Sequence, residues 1–101
     1  MVGRDDDEVL LCCLLWAHDG EVAGLSAYED TVLALIEEHG GQVVQRAQHD
    51  GDDGNPHEVQ LYRFESPTAL TSYLNDSRRT RLGPERDRVI KRTELFPVRF
   101  R

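Results

Sequence analysis

The chain has 101 residues, of which 39% are hydrophobic, and 19 acidic side chains against 12 basic ones give a net charge of −7 at pH 7. That length holds one domain with one core. The acidic balance excludes non-specific binding to nucleic acid, which needs a basic surface, and no apolar run is long enough for a transmembrane helix.

The stretch before the first strand is acidic, with Asp5, Asp6, Asp7 and Glu8. A secretory signal begins with a basic region instead. The expected location is therefore cytoplasmic. A single domain is expected over residues 1–101, with 1–7 as a flexible acidic terminus.

Strand one is expected from Glu8 to Ala17. Its run Val9-Leu10-Leu11-Cys12-Cys13-Leu14-Leu15-Trp16-Ala17 has no polar face. It lacks helical spacing, and valine and cysteine suit a strand. A strand apolar on both sides is buried on both sides. The helices of so small a domain cover one face of a sheet, so a second copy of the chain is expected to cover the other. Cys12 and Cys13 point to opposite faces of such a strand and cannot bridge without strain. With no CxxC pair or second cluster, neither a zinc site nor a redox motif is expected.

A loop over 19–24 follows. Ser26 with Glu29 three residues later reads as a capping box, and Leu25 as its hydrophobic staple, so helix one is expected to start there. Tyr28, Val32, Leu35 and Ile36 keep helical spacing. Gly40 and Gly41 end the helix, with His39 in its last turn. Strand two is expected over 42–48. The tract Asp50-Gly51-Asp52-Asp53-Gly54-Asn55-Pro56 is dense in turn formers and reads as a hairpin loop. Strand three, 57–64, alternates Val59, Leu61 and Arg63 against Gln60, Tyr62 and Phe64. Ser66 caps helix two, with Pro67 at its first position, and 75–77 break it. A short arginine-rich helix from Arg78, a turn over 85–91 and strand four over 93–100 complete the chain. The order βαβ–βαβ is the ferredoxin-like arrangement, an α+β fold.

Three segments carry a resemblance to a family. They are His39-Gly40-Gly41-Gln42-Val43-Val44-Gln45-Arg46, then Glu58-Val59-Gln60-Leu61-Tyr62-Arg63-Phe64-Glu65-Ser66-Pro67, then Ala69-Leu70-Thr71-Ser72-Tyr73-Leu74-Asn75-Asp76. Together they resemble uncharacterised members of the dimeric α+β barrel superfamily, relatives of antibiotic-biosynthesis monooxygenases. The resemblance implies a homodimer in which two ferredoxin-like sheets pack face to face. It implies little about activity, since one fold hosts many functions.

The candidate site residues divide by chemistry. His18, at the end of strand one on the Trp16 side, is a candidate acid or base, with a strand-end histidine in solvent as the favoured alternative. Tyr62 is a candidate hydrogen-bond donor to a bound carbonyl or phenolate, and also a plausible core residue. Arg46 and Arg63 lie within strands, where a charge needs a partner. Each is expected to pair with a carboxylate across the dimer interface or to bind an anionic ligand, with the pairing favoured. His49 and His57 flank the hairpin loop and could approach each other, but are expected to be solvated. The basic cluster Arg78, Arg79, Arg81, Arg86, Arg88, Lys91 and Arg92 is interleaved with Asp76, Glu85, Asp87 and Glu94, and reads as a salt-bridged surface.

Two functions remain open at this level. One is an enzyme with neither metal nor nucleotide cofactor, acting on a small hydrophobic or aromatic molecule held between sheet and helices. Trp16 and Tyr62 would position it, His18 would transfer a proton, and an arginine would stabilise developing charge. The other is a non-catalytic dimeric domain for ligand binding or assembly. A closed pocket with convergent polar groups marks the first, and an interior filled by side chains marks the second.

Overall fold

The structure is a computed structural model, and it describes residues 8–101; the expected acidic terminus, 1–7, lies outside the described residues. The elements are β1 (Val9–Ala17), α1 (Val22–Leu33), a 3₁₀ turn (Ile36–His39), β2 (Gly41–Gln48), β3 (Glu58–Phe64), α2 (Pro67–Leu74), α3 (Ser77–Thr80), α4 (Gly83–Val89) and β4 (Ile90–Pro97). The four strands form one sheet in the order β2-β3-β1-β4. Every neighbouring pair is antiparallel. This is the ferredoxin-like α+β fold, with all helices on one side of the sheet.

The two apolar faces of β1 go to different places. Leu11, Cys13, Leu15 and Ala17 point to the helices and join the core with Leu25, Tyr28, Val32, Ile36, Tyr62, Phe64 and Tyr73. Leu10, Cys12, Leu14 and Trp16 point the other way. Opposite them on that face stand Arg63, Leu61 and Val59 of β3, and Phe96, Glu94 and Arg92 of β4. The two cysteines are unpaired and buried on opposite faces.

Helix one begins earlier than the capping signal predicts. α1 starts at Val22, with Glu21 at its N-cap, and no side chain bonds back to cap it. The Leu25 amide already donates to the Glu21 carbonyl at 2.8 Å. Leu25 is wholly buried, so it is a core residue inside the helix, not a staple before it. Burial of Leu25 outweighs the local preference of Ser26 for a cap. Ser26 and Glu29 instead turn their side chains toward the sheet. β4 likewise begins at Ile90, where the expected turn over 85–91 is helix up to Val89. Ser66 caps α2 as expected, accepting from the Ala69 amide at 3.1 Å.

Two adjacent glycines set the entry to β2. Gly40 takes φ 73°, the left-handed conformation that closes the 3₁₀ turn. Gly41 lies under the ring of Phe64, where a Cβ would stand 2.6 Å from Cε1 and 2.9 Å from Ile36 Cγ1. Phe64 and Ile36 are both within 2% of full burial and have no room to retreat. Gly41→Ala is therefore expected to destabilise the fold by about 1–3 kcal/mol through overpacking. A urea melt that leaves the midpoint unchanged would show that the ring can shift.

Candidate functional site

The interior of the sheet holds polar residues as well as apolar ones. The helix-facing side of β3 presents Glu58, Gln60, Tyr62 and Phe64, and Gln60 is fully buried while Glu58 is 1% exposed. A carboxylate in that position needs a cation and donors. Arg46 lies opposite Gln60 on β2 and supplies them. Its Nε donates to Glu58 Oε1 at 2.7 Å and its Nη2 to Glu58 Oε2 at 2.9 Å. Its Nη1 donates to Asp30 of α1 at 2.5 Å, and Nη2 reaches the Ser26 carbonyl at 3.0 Å. Gln48 Nε2 adds a bond to Glu58 Oε2 at 3.2 Å.

From Glu58 the network runs inward. Gln60 Nε2 donates to Glu58 Oε1 at 2.8 Å and to Glu29 Oε1 of α1 at 3.1 Å. That fixes the Gln60 amide, so its oxygen faces Tyr62 and accepts from the phenol. The single phenolic proton is thereby committed to Gln60. Burial shifts the acids accordingly. Desolvation holds the Glu29 carboxyl above its ordinary range, only partly offset by the bond from Gln60. Glu58 is desolvated too, but the bonds from Arg46, Gln60 and Gln48 bring it below its ordinary range. Burial pushes the Cys13 thiol up to about 11 and the Tyr62 phenol far above its usual value.

The candidates read from the sequence fall in separate environments. Tyr62 is buried on the helix side. Trp16 is half-buried on the opposite face, with the Arg92 guanidinium 4.5 Å from its ring centre and its indole N–H donating to the Gly54 carbonyl at 2.9 Å. Trp16 and Tyr62 thus do not share a pocket. His18 is exposed just beyond the end of β1. Arg46 pairs within its own protomer, with Glu58 and Asp30, so the expected pairing across an interface does not apply to it. Arg63 lies on the open face and pairs with Glu8 at 3.0 Å. The basic cluster is salt-bridged at three of its seven residues: Arg78 binds Asp76 and Glu38, Arg88 binds Glu21 and Glu85, and Arg92 binds Glu94.

A groove follows the edge of the sheet between α1 and β2. It consists of three adjoining cavities. One of about 390 Å³ is lined by His18, Asp19, Val22, Asp50, Asp52 and His57 among others. A second of about 510 Å³ runs past Val22, Ala23, Ser26, Ala27 and Gln48. A third of about 430 Å³ ends at Asp30 and Arg46. Between sheet and helices, by contrast, Tyr28, Phe64, Tyr73 and Leu25 pack together with the polar network. Among the described residues no group of three or more histidine, cysteine or carboxylate side chains is placed to hold a metal ion. No described helix is long and apolar enough to cross a membrane.

Glu29, Glu58 and Gln60 were not singled out by the sequence. The signal was available for two of them: Glu58 and Gln60 share a strand face with Tyr62 and Phe64. For Glu29 the capping-box pattern pointed elsewhere.

Comparison with known proteins bears on the fold. No family model and no curated protein sequence matches the chain. Solved structures do match. A protein of unknown function from Rhodopseudomonas palustris is 15% identical, with 91% of this chain and 81% of that chain covered and a TM-score of 0.73. A dimeric protein of unknown function and ferredoxin-like fold from Bacteroides fragilis is 9% identical, with 92% and 96% covered and a TM-score of 0.71. SnoaB, a cofactor-independent oxygenase from Streptomyces nogalater, is 17% identical, with 94% and 96% covered and a TM-score of 0.68. At these identities the likeness is one of fold, shared alike by an oxygenase and by proteins with no assigned activity.

Two outcomes follow from the network. Arg46→Met leaves Glu58 buried without its cation, and a loss of about 3–5 kcal/mol is expected in chemical denaturation. Glu29 acts in the opposite sense. Its folded-state proton affinity is raised, so the folded protein holds the proton more tightly than the unfolded chain does. Stability should then fall as pH rises out of the ordinary carboxylate range. Glu29→Gln removes that penalty. The variant should be more stable than the parent at neutral pH, with the gap closing as pH is lowered through the ordinary carboxylate range. A gap independent of pH would show that Glu29 is not the titrating group.

Proposed function

We propose that the protein is a homodimeric α+β barrel that serves as a non-catalytic ligand-binding or accessory domain. The observation that carries this reading is the open face of the sheet. Leu10, Cys12, Leu14 and Trp16 form its central stripe, with Val59 and Leu61 on one side and Phe96, 39% exposed, on the other. A contiguous apolar face of that kind marks an interface. The pairs Arg63–Glu8 and Arg92–Glu94 sit on the same face and give it polar points at its borders. A self-complementary pairing of two such faces satisfies the twofold symmetry of most homodimers. The Bacteroides fragilis neighbour, described as dimeric, supports the same arrangement.

Against catalysis stands the dispersal of the candidate residues. Trp16, His18 and Tyr62 occupy the open face, the solvent and the core. The guanidinium forks of Arg46 and Arg63 are engaged by carboxylates. A ligand would therefore be a small molecule in the groove along α1, against Val22, Ala23 and Ala27. The free thiols Cys12 and Cys13 suit a reducing compartment, and we place the protein in the cytoplasm.

The enzyme reading rests on one observation, the buried chain from Tyr62 through Gln60 to Glu29. A cofactor-independent reaction on an aromatic molecule would have Tyr62 and Glu29 as its proton-bearing groups, with Trp16, His18, Arg46 and Arg63 outside the reacting centre.

Light scattering on the purified chain at micromolar concentration should return about twice the chain mass, with K_d well below that concentration. Leu14→Asp puts an unpaired carboxylate at the centre of the open face, which costs several kcal/mol if that face is covered. The variant should be monomeric or unfolded. A parent chain that stays monomeric would end the barrel reading. Turnover of an aromatic compound, lost in Tyr62→Phe at unchanged melting temperature, would favour the enzyme.

A further inference from the structure

His57 ties the β2–β3 loop, residues 49–57, to the end of β1 twice: its backbone N–H donates to the Leu15 carbonyl at 2.8 Å, and its ring makes a second bond that depends on the protonation of the imidazole. His57 Nδ1 accepts the backbone N–H of Ala17 at 3.0 Å. An imidazole nitrogen can accept only when it carries no proton. His57 Nε2, which then carries the ring proton, donates to the Gly51 carbonyl at 3.1 Å. The neutral ring is thus a bridge between the end of β1 and the middle of the loop. Ala17 lies at the register shift between Trp16 and Ala17, where β1 changes its alignment with β4. The side-chain bond takes up an N–H at that irregularity.

The loop in turn reaches across to the open face. Its Gly54 carbonyl accepts the indole N–H of Trp16 at 2.9 Å. It also walls the cavity of about 390 Å³ on which His18 and Val22 form the other side. We propose that His57 is a pH-operated latch: its neutral ring ties the loop to the Ala17 amide beside this cavity and next to Trp16, and protonation of His57 opens that tie.

The reason is stereochemical. An imidazolium has N–H groups at both ring nitrogens, so Nδ1–H would face the Ala17 N–H, donor against donor. The Gly51 bond and the backbone bond from the His57 N–H to the Leu15 carbonyl, at 2.8 Å, persist, but the side-chain tie to Ala17 does not. The charged and titratable groups around His57 are Asp50 and Asp52 within the loop, His49 at its start, Glu58 beside it, and His18 and Asp19 on the segment leaving β1. The carboxylates attract an imidazolium and the histidines repel one, but none of them gives the Ala17 N–H its acceptor back. Glu58 is already committed to Arg46. His49 is turned to Asp53, with Nε2 at 3.0 Å from the carboxylate, and that contact together with the Asn55 amide holds Asp53 down to about 2. Acid therefore keeps the His49–Asp53 tie within the loop and the backbone bonds of His57 to Leu15 and His49, while breaking the side-chain tie to Ala17. This inference does not depend on the dimer.

Trp16 is the sole tryptophan, so its indole N–H gives a single resonance in the isotope-labelled full chain. That resonance should shift in one transition as the pH is taken from about 8 to about 5, the range in which imidazoles titrate. His57→Asn is the decisive variant. Its side-chain oxygen stands where Nδ1 stood and accepts at any pH, so the transition should vanish and the resonance stay at its high-pH position. His49→Asn and His18→Asn should keep the transition. His57→Ala, where it folds, should show the low-pH position throughout. A flat parent profile, a transition that survives in His57→Asn, or one that disappears in His18→Asn or His49→Asn overturns the proposal.

Discussion

The placement of Glu58 is the constraint on which much of this fold depends. A carboxylate 1% exposed between sheet and helix is tolerable only with a fixed cation and fixed donors. Arg46 answers from the neighbouring strand, and the same guanidinium grips Asp30 and the Ser26 carbonyl on α1. One side chain thus ties the edge strand, the second strand and the first helix. The tie also acts on register. The pairing that sets Arg46 opposite Gln60 and Gln48 opposite Glu58 is the one that completes the network. Beyond its ladder with β3, β2 contributes few buried side chains, since most of them face solvent. A one-residue slip would turn Arg46 to the other face and strand Glu58.

The same network explains why the domain keeps a unique interior while having few large apolar residues on that side of β3. Gln60 is the hinge of the arrangement. Its amide nitrogen serves two carboxylates, and its oxygen serves a phenol. Reversing the amide would set its oxygen against both carboxylates. Beyond it the core becomes aromatic, with Phe64 5.8 Å from Tyr73 and 6.4 Å from Tyr62, and Tyr73 donating to the Val32 carbonyl at 3.1 Å. The polar end lies toward the edge strand and the apolar end toward the 3₁₀ turn. The sheet is therefore divided along its length on one face and uniformly apolar through β1 on the other.

How much of this the sequence showed depends on the range of the interaction. The element order, the cap at Ser66, the glycines at the entry to β2 and the two-sided β1 all follow from local pattern, and the structure has them. The start of α1 was misread because Ser26 and Glu29 fit a capping box, whereas both side chains answer to partners on the sheet, Gln48 and Gln60. The environment of Trp16 relative to Tyr62 was not legible at all. It depends on which face of β1 meets which face of β3, and that follows from pairing Leu11 with Tyr62. The partner of Arg46 was open for the same reason. A strand arginine signals that a carboxylate is near, but not from which element it comes.

Fold likeness carries over the scaffold and stops there. The solved structures that resemble this chain share its element order at identities of 9% to 17%. Identity that low preserves an apolar pattern but not a set of interacting polar side chains. What is particular to this chain is therefore where its polar groups are spent. Arg46, Glu58, Gln60 and Glu29 are consumed in holding α1 to the sheet, and Arg78 and Arg88 in joining the helices to their neighbours. Several groups left free of such duty stand together around the β2–β3 loop and the end of β1, where His18, Asp19, Asp50 and Asp52 line a cavity walled by that loop. Binding loops are commonly drawn from the less rigid parts of a fold, and the open groove of this chain runs to that loop, whereas the interior between sheet and helices is filled by side chains.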